Sequence, residues 1–154
     1  MNYLKESEKI LENYRKLYTA LANLKERQEK LVRSGMPGEV KAIDYSKPAI
    51  QHQAYSKDTI NQLCEVATVS NEIKETKKEM KLVSKILKQI KKEDEILYKF
   101  LAIKFIKKPK ISMKKIAEEL GYSPDSNDTI YKIKERALTE FSILYFGVNA
   151  TRGI

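Results

Sequence analysis

Leu4, Leu11, Tyr14, Leu17, Tyr18, Leu21, Leu24 and Leu31 recur at helical spacings, with Lys, Arg, Glu and Gln between them, until the chain meets Ser34-Gly35-Met36-Pro37-Gly38. That spacing predicts one amphipathic helix ended by a glycine/proline breaker. At ~1.5 Å per residue the helix would be about 45 Å long, far more than a sphere built from this chain needs. Its apolar stripe therefore requires a partner helix.

The partner is legible further on. Ile60, Leu63, Ala67, Ile73, Met80, Val83, Leu87 and Ile90 restore the period, with Asp58 expected as the N-cap. Between Asn71 and Lys85 the pattern is weakly apolar because Lys74, Thr76, Lys77, Lys78 and Lys81 crowd it. This predicts a second long helix solvated on most sides and paired through a narrow seam. The expected arrangement is a coiled-coil-like hairpin over residues 1–92. From Glu39 to Lys57 neither period holds, and Pro48 pushes Lys47 toward an extended backbone, so 35–57 is expected to be a linker.

Composition agrees with an all-α fold. One third of the 154 residues are charged and only 5 are Gly and 4 Pro, which suits long solvated helices and not a turn-rich sheet protein. The lone Cys64 cannot form an intrachain disulfide, and with His52 the only histidine there are too few soft ligands for a structural zinc site. Cys64 is expected to be a small buried hydrophobe on the apolar side of the second helix. No glycine-rich phosphate loop, serine nucleophile elbow or HExxH motif is present, and His52 has no partner carboxylate motif. The expectation is a non-enzyme without cofactor or metal. The Met1-Asn2-Tyr3-Leu4 start and the absence of an apolar run near ~18 residues point to a cytoplasmic chain with no membrane partner.

The last third has another character. Asp94 to Ile106 reads as a helix buried on much of its surface and ended by Lys107-Lys108-Pro109. Ser112 is placed to cap a short helix from Met113 to Leu120, which Gly121 ends. A third helix is expected from about Asp128 to Tyr145, with 147–154 as a tail. Ile116, Ala117 and Leu120 share one face of the short helix, and Ala117 is small enough to let another helix cross closely. Ile130, Ile133, Ala137 and Phe141 form a stripe that can pack on Ile116, Leu120, Leu101 and Phe105. Residues 93–146 are thus expected to form a three-helix, helix-turn-helix, DNA-binding domain.

Charge points the same way. The chain carries +9 overall, and residues 96–154 hold 11 basic against 6 acidic side chains. Phosphates would be drawn there by Coulomb force and counterion release, although a lysine-rich surface also serves solubility. With the apolar stripe inward, Asp128, Tyr131, Lys132, Glu135 and Arg136 point outward and could enter a major groove. Lys114 and Lys115 belong to a lysine run at the entrance to the motif. Asn127 and Thr129 read as helix caps, or as caps that also donate to a phosphate. Tyr131 reads as a groove or backbone contact, or as core.

Ile116-Ala117-Glu118-Glu119-Leu120-Gly121, followed by Ile133-Lys134-Glu135-Arg136-Ala137-Leu138, resembles region four of bacterial sigma factors. The whole chain is similar in layout to the ArpU/RinA group of phage-encoded late-gene regulators. Its turn is about three residues longer than the sigma pattern, and Lys115 stands where an acidic residue is common. The resemblance implies a sequence-specific transcriptional activator on double-stranded DNA at the nucleoid, with RNA polymerase and a second copy, through the long helices, as further partners. A small-terminase-like packaging protein and a coiled-coil adaptor that does not bind DNA are the alternatives.

Overall fold

The computed structural model describes residues 1–33, 57–107 and 110–152; of the expected linker 35–57 only Lys57 is among them, as the first residue of a helix, and the rest of it, with His52, Lys108 and Pro109, lies outside them. Two long helices come first, α1 (Tyr3–Arg33) and α2 (Lys57–Glu93). They are followed by α3 (Glu95–Leu101), a π-helical turn (Ala102–Lys107), α4 (Met113–Glu119), α5 (Asn127–Phe146) and α6 (Val148–Arg152). The protein is all-α, and no strand occurs among the described residues.

Local chemistry sets the ends of these elements. Asn2 Oδ1 accepts from the Lys5 amide at 3.1 Å and caps α1. Helix α2 opens at Lys57, so Asp58 lies inside the first turn and is not the N-cap expected of it. There its carboxylate still meets the positive end of the helix dipole. Asp94 is extended (φ −148°, ψ 101°), and its Oδ1 accepts from the Ile96 and Leu97 amides. One residue thus separates α2 from α3, and Asp94 is a cap and not the first residue of a helix.

The expected helix through Ile106 is also interrupted, because the chain widens into π geometry from Ala102. The cause is legible from the spacing. Lys104 lies seven residues beyond Leu97, which at ~100° per residue would bring it back to within ~20° of the core direction. The π turn adds a residue to the cycle, so Phe105 becomes buried and Lys104 only half-buried.

Helix α4 begins at Ser112, whose Oγ accepts from the Lys115 amide at 3.4 Å. It ends in a Schellman motif, with the Tyr122 amide donating to the Ala117 carbonyl (2.8 Å) and the Gly121 amide to the Glu118 carbonyl (3.0 Å). Gly121 has φ +85°, a conformation that a side chain at this position would strain. After α5, Gly147 (φ +68°) reverses the chain, and the expected tail contains helix α6, with Ala150 buried.

The chain divides into two compact units, Met1–Tyr18 with Glu79–Ile154, and Thr19–Lys78. In the first, Leu11 and Tyr14 of α1 and Val83, Ile86, Leu87 and Ile90 of α2 share a core with Phe100, Ile116, Ile130 and Phe141. The core therefore crosses the boundary expected at residue 93. The stripe Ile130, Ile133, Ala137 and Phe141 is buried as expected, and Leu120 packs against it half-buried. In the second unit Val69 and Ile73 are the buried side chains among the described residues. Gln28 Nε2 donates to Ser70 Oγ at 2.8 Å in that unit, and Arg27 lies 3.8 Å from Glu65.

Cys64 is exposed, against expectation. It lies five residues before Val69, about 140° around the helix, and so falls off the seam that Val69 and Ile73 define.

Candidate nucleic-acid interface

Helices α4 and α5 both pack in the first unit through Ile116 and Ala117 on one side and Ile130, Ile133 and Ala137 on the other. Burying that stripe turns the opposite side of α5 to solvent. Asp128, Thr129, Tyr131, Lys132, Glu135 and Arg136 are all exposed, as are Asn127 and, on α4, Lys114 and Lys115. Tyr131 is 55% exposed, which excludes the core alternative for it. Lys107 and Lys110 are exposed at the approach to α4.

The start of α5 departs from expectation. Asn127 and Thr129 are the first and third residues of the helix, and Ser126 holds the cap position without a side-chain cap hydrogen bond. The leading amides of α5 are thus left without a side-chain cap. Such amides, reinforced by the helix dipole, suit a phosphate oxygen.

The other end of the exposed row is acidic in its surroundings. The Arg136 guanidinium donates to Asp94 Oδ2 at 3.3 Å, the same carboxylate whose other oxygen caps α3. Glu140 lies one turn further along α5. Burial, then the hydrogen bond and charge of Glu93, and then the charge of Asp94 raise its carboxyl above the usual range. Arg136 is 68% exposed, but it sits beside this acidic group. Lys134 is turned away from the row and pairs with Glu8 of α1 at 3.0 Å.

Lys114 and Lys115 on α4 and Tyr131 and Lys132 on α5 are exposed together with the carboxylates of Glu118, Glu119 and Asp128, whereas Arg136, toward the middle of α5, is held by Asp94. Sequence periodicity assigned the outward direction of these residues. It had no signal for the Arg136–Asp94 pair, which joins positions 42 residues apart.

Among the described residues no group of three His, Cys, Asp or Glu side chains converges on a metal position, and no helix is long and apolar enough to cross a membrane. No family model, curated protein or solved structure matches this chain.

Proposed function

We propose that this protein is a sequence-specific DNA-binding transcriptional regulator, an activator of phage late genes acting in the manner of sigma region four. One observation carries the reading. The buried stripe of α5 leaves Tyr131 and Lys132 exposed on the ridge opposite the α4 contact, with Lys114 and Lys115 exposed on α4. An α-helix presented in this way fits a major groove, and the lysines supply phosphate contacts that hold its register. Lys114, Lys115 and Lys132 anchor phosphates, the start of α5 at Asn127 and Thr129 receives another, Tyr131 faces the groove or the backbone, and Asp128 and Glu135, which repel phosphates, accept from cytosine amino groups or meet polymerase. Arg136 contributes less than its charge suggests because Asp94 already holds it. Double-stranded DNA at the nucleoid is the principal partner, and RNA polymerase or a second copy engages the long helices.

Fluorescence anisotropy with duplexes enriched from a random-sequence pool tests the reading. Lys132→Ala weakens binding and lowers the salt slope by about 0.9, and Arg136→Ala has a smaller effect. Wild-type affinity and salt slope in Lys132→Ala, or failure to enrich any duplex, would overturn it. The acidic surroundings of Arg136, formed by Glu93, Asp94 and Glu140, favour a second reading in which this part of α5 receives a protein partner and not DNA. Affinity for duplex that is unchanged by every lysine substitution on α4 and α5 would support that adaptor.

A further inference from the structure

The first unit contains a cleft of about 200 Å³ lined by Glu12, Arg15 and Lys16 of α1 and by Lys104 and Phe105 of the π turn. Three of these five side chains are cations and one is a carboxylate. Among the described residues, none of the three cations forms an ion pair, and Lys104 Nζ lies 6.0 Å from the centroid of the Phe105 ring. The structure therefore gathers a local excess of two positive charges on exposed Arg15 and Lys16 and half-buried Lys104, beside exposed Glu12. Water screens their repulsion, and an anion in the cleft would offset what remains of it.

The π turn is what brings Lys104 there. In a regular helix Lys104 would point toward the core, as the Leu97 spacing shows, and the widened turn seats Phe105 in its stead. Besides keeping Lys104 out of the core, such a turn is found frequently at functional sites. Arg15 supplies a planar fork for two oxygens, and Lys16 and Lys104 supply ammonium donors, the combination that suits a tetrahedral oxyanion.

We propose that this cleft binds a phosphate group through Arg15, Lys16 and Lys104, with Glu12 limiting its net charge. The proposal does not depend on the α4–α5 ridge. Two sources offer the same group, a free or small-molecule phosphate and a nucleic-acid backbone.

Thermal unfolding of the full chain in phosphate and in chloride at matched ionic strength reads the first source. With phosphate at roughly tenfold its dissociation constant, the rise in Tm over chloride exceeds that of Arg15→Gln/Lys104→Gln by about 4 °C. The variant subtracts the general stabilisation that excluded salts produce. Glu12→Gln enlarges the rise, whereas Lys132→Ala, on the other surface, leaves it unchanged. A random-sequence duplex reads the second source. If the backbone is the ligand, Arg15→Gln/Lys104→Gln weakens duplex binding about tenfold and lowers the salt slope by about 1.8, with no excess rise in phosphate. Circular dichroism checks that the double variant is folded, and if it is not, Lys104→Gln and Glu12→Gln alone carry the test through their opposite directions. Equal rises in wild type and variants, together with unchanged duplex affinity and slope, would overturn the site.

Discussion

The same two helices supply both units, yet the units differ in how much of those helices they bury. In Met1–Tyr18 with Glu79–Ile154, α1 and α2 add Leu11, Tyr14, Val83, Ile86, Leu87 and Ile90 to a core completed by α3, the π turn, α4 and α5. In Thr19–Lys78 the described helices continue the leucine period of α1, but Leu21, Leu24 and Leu31 are only half-buried and Val32, Ile60 and Leu63 are exposed. Periodicity chooses a face. The number of elements that meet that face decides how much water it loses.

The two units should respond unequally to substitution, and the largest effect is expected in the core of the first unit. Phe141→Ala empties a fully buried position and should cost about 3–5 kcal/mol in urea unfolding, whereas Ile73→Ala on the narrow seam of the second unit should cost about 2 kcal/mol. Equal losses would mean that the second unit is as tightly packed as the first.

Polar ties come next. Tyr145 Oη donates to Glu79 Oε1 at 2.6 Å, and Tyr145→Phe should cost about 1.5 kcal/mol because the acceptor is charged. Gln28→Ala, which removes the bond to Ser70 in the second unit, should cost about 1 kcal/mol. Burial, followed by the hydrogen bond and charge of Glu79, pushes the Tyr145 phenol up to about 12. Burial, followed by the hydrogen bond shared with Tyr18 and its charge, pushes Tyr14 up to about 12 as well. For an acid raised in this way, the associated stability is present below the unfolded value near 10 and lost as pH rises through about 12. An ultraviolet phenolate titration should therefore show late-ionising phenols from Tyr14 and Tyr145, the second of them absent in Tyr145→Phe.

Ser7 supplies a sharper test of the first unit. Its Oγ is fully buried with no hydrogen-bond partner among the described residues, so Ser7→Ala should raise stability by about 1 kcal/mol. A loss on denaturant unfolding would show that the hydroxyl has a partner after all. The smallest effect is expected at Glu140. Its raised carboxyl favours the fold at low pH, and that contribution is lost as pH rises through the folded value. Glu140→Gln should accordingly stabilise by about 0.5 kcal/mol at neutral pH, a gain that fades on acidification below the unfolded value. A gain that persists in acid would exclude repulsion from Glu93 and Asp94 as its cause.

Much of the candidate interface was readable before folding, because a helix has one period and a strongly apolar stripe leaves little choice of inward face. Ser112, Gly121 and the stripe from Ile130 to Phe141 act through contacts within a few residues or through spacing alone. The cap at Asp94 was less accessible, since a carboxylate before an apolar run looks much the same inside a helix as at its start. The tail beyond Gly147 contained a short helix whose single buried residue, Ala150, gives no periodic signal. The exposure of Cys64 is not legible in spacing, because an apolar residue near a weak stripe can fall either on or off a seam only a few side chains wide.

Spacing and backbone chemistry within a few residues were thus enough for an all-helical chain, its two long helices and the outward direction of Lys132, whereas Tyr131 stayed open between contact and core until its exposure was known. Tertiary structure alone decided that Arg136 answers to Asp94, that the first unit draws its core from both ends of the chain, and that Arg15, Lys16 and Lys104 meet at one cleft. The physical reason is range. Hydrogen bonds and side-chain directions within a turn follow from neighbouring residues, whereas burial and charge pairing depend on which distant surfaces come together, and there a half-turn of register or one π turn changes the partner.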